Sequence, residues 1–238
     1  MLVKTKAIVI SAFRYQEKSL IVKCFTESNG LKSYFVRDAF SASMKTRQKK
    51  VYFEPLTMLE IEASHKNKGT LEYFKEVRPI HQYFSLHNNI KKTTIAIFIS
   101  EVLHHCIKEE EKNQSLYSFL ETSFLWFDAH DEAANFHLVF LLELTKFLGF
   151  YPNTSQQEYS FFEMVEGVFV PHQSITCLSE HETTLLKKLM QLKLGTSIKI
   201  FNISERQFLL KMLLDYYAFH QENFIRPKSL DVLKEVFI

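Results

Sequence analysis

Glycine and proline are scarce in this chain of 238 residues, with five of each. So little glycine leaves no material for a Gly-rich phosphate loop. Neither a P-loop, a G-x-G-x-x-G turn nor a G-x-S-x-G elbow occurs, and the H-E-x-x-H zinc signature is missing as well. The same scarcity excludes collagen-like and low-complexity segments. Cysteine is scarcer still: Cys24, Cys106 and Cys177 are odd in number and far apart. No disulfide framework or zinc quartet can be built from them, so a reducing compartment is expected. Long apolar runs are also lacking. The longest, near Ile95–Ile99 and Leu138–Leu142, fall far short of a membrane span. Ala7–Ile10 followed by Arg14 is too short for the apolar region of a signal peptide. The expectation is a cytoplasmic protein with no membrane partner.

What the chain does have is aromatic side chains, including 23 Phe, and an uneven distribution of charge. Residues 1–80 hold 15 Lys and Arg against 8 Asp and Glu, net +7; the remainder holds 14 against 19, net −5. Two domains with different tasks follow, at 1–80 and 81–238. The densest basic cluster is Lys45, Arg47, Lys49 and Lys50. It is either an electrostatic footprint for nucleic acid or a solvated loop.

The first third reads as strands over Val3–Ser11, Ser19–Thr26, Leu31–Val36, Val51–Ala63 and Leu71–Val77, with Glu27–Gly30 as a turn and Arg37–Lys50 as a long mobile loop. Five short strands in a basic segment without a long helix predict a small OB-type barrel. After Pro79 the period becomes helical. Helices are predicted over Thr93–Ile107, Leu116–Phe127, Asp131–Leu148 (stopped by Gly149), Ser179–Leu192, Ser204–Gln221 and Ser229–Val236. Ser179 and Glu182 have capping-box spacing, the fifth helix again opens on Ser-Glu, and Phe150–Ile175 reads as irregular. The fold class is therefore α+β: an N-terminal OB-fold barrel followed by an all-helical domain.

Candidate chemistry is thin. His104-His105-Cys106 are adjacent on a helix and so point about 100° apart. His172, Cys177 and His181 lack a fourth ligand. Asp128, Asp131 and Glu132 could form a nuclease-type carboxylate cluster for Mg²⁺, but Asp128 or Asp131 reads better as a cap of the third helix, with Glu132 complementing its dipole. Rings and cations interleave in the basic third, at Phe13-Arg14-Tyr15, Tyr34-Phe35-Val36-Arg37 and Phe40. An OB barrel that binds single strands needs this mixture, with rings for bases and cations for phosphates. Strand alternation puts Tyr34 and Val36 on one face and Phe35 and Arg37 on the other, so at least half of these rings are core.

Several runs together resemble the RecO recombination-mediator family: Lys4-Thr5-Lys6-Ala7-Ile8-Val9-Ile10, Tyr15-Gln16-Glu17-Lys18-Ser19-Leu20-Ile21-Val22, Phe25-Thr26-Glu27-Ser28-Asn29-Gly30-Leu31, Phe53-Glu54-Pro55-Leu56, Lys146-Phe147-Leu148-Gly149-Phe150-Tyr151-Pro152 and Arg226-Pro227-Lys228-Ser229-Leu230. The resemblance spans essentially the whole chain, in order. It implies an OB-fold domain followed by a helical domain, with a non-enzymatic role in recombinational repair. Proteins of that kind bind single- and double-stranded DNA and anneal complementary strands. They act with RecR to load RecA on DNA coated by single-strand-binding protein, and they contact that protein's acidic tail through the helical domain. A nucleoid-associated location in the cytoplasm follows. The chain departs from the family in two places. Asn153–His172 lacks the four zinc cysteines of many members, so no zinc or other cofactor is expected. Asp38-Ala39 stands where many members have Lys-Gly.

On this reading Arg14, Lys32, Arg37, Lys45, Arg47, Lys49 and Lys50 contact phosphates, and Phe13, Tyr15 and Phe40 are candidates for base stacking. Lys91, Lys92 and Lys146 would rim an apolar groove for the acidic tail. The alternatives are a metal-dependent nuclease built on Asp128, Asp131 and Glu132, and a generic OB-fold RNA-binding or scaffold protein.

Overall fold

The structure is a computed structural model that describes residues 1–40, 51–66, 71–108, 110–131, 134–194 and 200–236. It divides into two compact units: Met1–Asp128 with Pro227–Ser229, and Ala129–Arg226 with Leu230–Ile238. Strands give way to helices after Pro79.

The first unit opens with five strands: β1 (Leu2–Tyr15), β2 (Ser19–Thr26), β3 (Gly30–Val36), β4 (Met58–Ser64) and β5 (Glu72–Pro79). They close into a barrel in the order β1-β2-β3-β5-β4, in which every pairing is antiparallel except β3 with β5. This is the connectivity of an OB-like barrel. The 14-residue β1 serves two neighbours. Leu2–Ile8 pair with β4 and Ala7–Tyr15 with β2, and the β2 register skips Ile10. That bulge turns the strand from one side of the barrel to the other. Ala7, Val9, Val22, Cys24, Tyr34, Leu59 and Ile61 fill the interior. The turn before β3 depends on Gly30, which takes φ +62 and whose carbonyl accepts from Thr26 Oγ1 at 2.8 Å.

Residues 51–57 do not continue β4, contrary to the expected strand Val51–Ala63. Pro55 has no N–H to donate to a ladder, and Leu56 lies at φ +64, where a strand cannot run. Leu56 N–H instead donates to Val9 O, and Val9 N–H to Thr57 O, both at 2.9 Å, so this turn is tied to the β1 bulge.

Two helices, α1 (Ile90–Cys106) and α2 (Gln114–Ala129), fold with the barrel. Ile8 and Ile10 are fully buried although they face away from the interior, because α1 covers them: Ser100 Oγ donates to Ile10 O at 2.5 Å, and His104 Nδ1 bonds Ser11 Oγ at 3.0 Å. Lys6 pairs with Glu121 of α2 at 3.0 Å.

The second unit contains α3 (Phe136–Leu148), a small sheet of β6 (Phe161–Glu163), β7 (Val168–Val170) and β8 (Cys177–Leu178), then α4 (Glu180–Gln191), α5 (Ile203–His220) and α6 (Leu230–Val236). In this sheet, ordered β7-β6-β8, β6 and β7 lie within Phe150–Ile175, where the sequence reads as irregular. Strands of two or three residues are too short to show a period. Gly167 makes its hairpin at φ +68, with Tyr216 Oη only 2.5 Å from where a Cβ would stand. Of the helix starts, that of α3 comes five residues later than expected and that of α5 one residue earlier. α3 begins after Asn135 with no acidic residue in its first turn, and α5 is capped by Asn202 with Glu205, not by Ser204. Gly149 ends α3 in the left-handed conformation, and Ser179 with Glu182 forms the anticipated capping box.

His137 of α3 sits in this unit's core. Burial, reinforced by the nearby Arg206 cation, holds its imidazole at about 3, far below the usual 6.5. A depressed histidine contributes stability above its unfolded value and loses it as pH falls. Lowering pH from roughly 7 to roughly 5 should therefore cost the helical unit about 2 kcal/mol. Urea unfolding of the wild type and of His137→Leu checks this: the wild-type midpoint should fall with pH and the variant's should fall less.

Candidate nucleic-acid interface

A row of rings with neighbouring cations lies on the outer face of the barrel. It is built by strand alternation and register. On β3, Lys32 and Tyr34 point inward, which leaves Phe35 outward. Phe35 pairs with Tyr73 of β5, and their rings lie 6.0 Å apart at 71°. Tyr15, at the end of β1, places its ring 6.1 Å from Phe35 on the other side, at 83°. Three strands thus contribute one continuous row of edge-to-face rings, and Tyr73 is 47% exposed. Lys66 Nζ stands 5.9 Å over the Tyr73 ring, and its backbone N–H is fixed by both oxygens of Glu72 at 2.9 Å. At the other end Arg14 lies over Phe40, 5.0 Å from the ring centre, with Nη2 donating to Glu17 O at 2.7 Å. A cavity of about 450 Å³ opens beside the row, lined by Phe35, Arg37, Phe53, Tyr73, Phe74 and Lys75. Its floor is the barrel core: Phe74 stacks on Tyr34 at 4.1 Å and on Phe53 at 5.7 Å.

The expected site residues divide accordingly. Arg37 lines the cavity and Tyr15 joins the row of rings, whereas Arg14 lies over Phe40, which packs against the barrel core, and Phe13 is exposed on β1. Lys32 does not join them. It is 8% exposed, on the inward side of β3, and its ammonium pairs with Glu110 at 3.2 Å. Lys45, Arg47, Lys49 and Lys50 lie outside the described residues. Tyr73, Lys66 and Lys75 were not singled out from the sequence. The signal was the alternation of Glu72-Tyr73-Phe74, which sends Tyr73 out and Phe74 in. Asp38 takes φ +53 after β3, a conformation that Asp tolerates better than most residues, so the turn forms without a glycine.

Asp128 of the carboxylate cluster serves the backbone. Asp128 is buried, and its carboxylate accepts from the backbone N–H of Phe84 at 2.9 Å and of Ser85 and Leu86 at 2.8 Å. It caps the loop before α1, not the third helix. Burial alone would raise its pKa, but these bonds outweigh it and hold the carboxyl below its usual range. Glu132 lies outside the described residues. Among the described residues no three His, Cys, Asp or Glu side chains gather where a metal could bind, and no helix is long and apolar enough to cross a membrane.

Against known families, residues 1–83 match the model for the recombination protein O N-terminal domain and residues 87–231 match that for its C-terminal domain. The chain belongs to the RecO family. Its relatives include DNA repair protein RecO of Flavobacterium psychrophilum, 62% identical over 238 residues, and that of Flavobacterium johnsoniae, 59% identical over 237; both alignments cover the whole of each chain. DNA repair protein RecO of Christiangramia forsetii is 42% identical over 244 aligned positions, again across both chains.

The lysines expected to rim a peptide groove in this RecO-family chain are dispersed. Lys92 is 3% exposed, with Nζ donating to Ser85 Oγ at 2.6 Å and to Asp128 O at 2.9 Å, so it is a structural residue of the loop before α1. Lys91 is exposed at the start of α1 in the first unit. Lys146, in the second, pairs with Glu143 at 2.7 Å and covers the Tyr151 ring. The second unit does contain a groove of about 630 Å³, elsewhere. Phe208, Leu210, Leu230 and Leu233 contribute apolar walls, and Arg206, Lys211, Arg226 and Lys234 contribute cations.

Proposed function

We propose that this protein is a DNA-binding recombination mediator in DNA repair. It binds single- and double-stranded DNA, anneals complementary strands and helps load a RecA-type recombinase on DNA coated by single-strand-binding protein, together with a RecR-like partner. It works without catalytic residues, in the cytoplasm at the nucleoid. The observation that carries this reading is the ring-and-cation face of the barrel in a chain of the RecO family. Annealing asks only that two polyanions be brought together. Arg14, Arg37, Lys66 and Lys75 lower the repulsion by displacing counterions, while the rings hold unpaired bases. Lys45, Arg47, Lys49 and Lys50 extend the basic track on sequence grounds. The acidic tail of single-strand-binding protein is assigned to the 630 Å³ groove, whose walls and cations suit an apolar, acidic peptide.

The test is fluorescence annealing of complementary oligonucleotides, with and without single-strand-binding protein, in EDTA and without ATP. Acceleration supports the mediator. Binding without acceleration favours a scaffold that merely holds nucleic acid, and strand cleavage on adding Mg²⁺ would point to a nuclease.

A further inference from the structure

We infer that the cavity between β3 and β5 is a receptor for a single unpaired nucleobase of single-stranded DNA. The inference rests on the barrel face being the DNA interface, and goes beyond it by separating a base-holding pocket from the phosphate track. Three observations support it. First, among the described residues the two strands pair only at Tyr34–Glu72 and Phe35–Tyr73, so the parallel seam that closes the barrel is short and the cavity opens beside it. Second, the opening is lined by aromatic rings. Phe35 and Tyr73 stand at its mouth, and Phe53 and Phe74 form its floor. About 450 Å³ admits a flat heteroaromatic ring, for which such a lining is suited whatever the base. Third, among the described residues the charged side chains of the lining are Arg37 and Lys75, both cationic, as an occupant attached to a phosphodiester requires.

Lys75 owes its place to backbone geometry. The β4–β5 register passes from Glu76 to Phe74 and skips it, so the bulged residue is re-aimed toward the cavity mouth. From the mouth the row of rings continues through Phe35 to Tyr15, and the Lys66 ammonium stands over Tyr73 at the opposite end. A base in a duplex is already paired and stacked and cannot enter, so the pocket favours single strands over duplex. It would also hold a base unpaired until a complementary strand competes for it.

The experiment compares a fluorescent oligothymidylate with an abasic chain of equal length, which keeps the phosphates and lacks the bases, using the full-length protein. The wild type should bind the thymidylate about ten-fold more tightly. Tyr73→Ala should remove most of that preference and leave the salt dependence unchanged, and Tyr73→Phe should retain it. Tyr73 is half-exposed and faces outward, so its replacement leaves the core intact. Equal affinity of the wild type for both chains, with a normal salt dependence, overturns the pocket and leaves the interface standing. A preference that survives both Tyr73→Ala and Phe35→Ala also overturns it, because the base is then held elsewhere. Binding to neither chain removes the interface itself, and the pocket with it.

Discussion

Asp128→Ala should lower the stability of the barrel unit by about 3–5 kcal/mol, a large share of the total for a typical domain. The residue lies in a buried network. One carboxylate accepts three backbone N–H groups, from Phe84, Ser85 and Leu86, and its own carbonyl accepts from Lys92 Nζ and from Ser85 Oγ at 2.6 Å. Removing the side chain strands three donors, each at the cost of an unsatisfied buried group. Asp128→Asn retains an acceptor oxygen and should lose about half as much. The depressed carboxyl sets the sign with pH: its contribution is complete at neutral pH and disappears as pH falls through the folded-state value. Chemical denaturation of the two variants measures both effects. A carboxylate serving a metal would behave differently, since its loss commonly spares or even improves folding. An Asp128→Ala protein as stable as the wild type would contradict the capping role.

Replacing Arg14, Arg37, Lys66 and Lys75 together by Ala should flatten the slope of log K against log salt by about 2.8 for single strands, roughly 0.7 for each lost phosphate contact. Between roughly 50 and roughly 200 mM salt, the wild type should then lose about fifty-fold more affinity than the variant. The loss should be similar for all sequences, because phosphate contacts carry no base information. Arg14, Lys66 and Lys75 are exposed, so folding should change little. The matching variant at Lys45, Arg47, Lys49 and Lys50 decides the path. If it alone flattens the slope, the phosphates follow that segment and not the outer face of β3 and β5. Flattening by both sets places the backbone along both.

The order of the elements was legible in the sequence because local rules produce it. β2 runs over Ser19–Thr26 as its apolar pattern requires. Gly30 supplies the turn, Ser179 and Glu182 cap α4, and Gly149 ends α3. The charge asymmetry and the OB-like class were legible for the same reason: both are properties of residues near each other in the chain. Strand alternation even separated Tyr34 from Phe35. The site required more. Tyr15, Phe35 and Tyr73 are neighbours only because barrel closure brings β3 beside β5 and the end of β1 close to Phe35, and the bulge that re-aims Lys75 exists only in the paired register. Burial of charge was equally hidden. Lys32 and Lys92 look like any other surface cation in the sequence, yet one points inward from β3 and the other is enclosed by Ser85 and Asp128. Residue type determined how much charge and how many rings the first third would carry. Long-range pairing alone decided which of them face solvent together, because a side chain's partners across a sheet are set by register and not by distance along the chain.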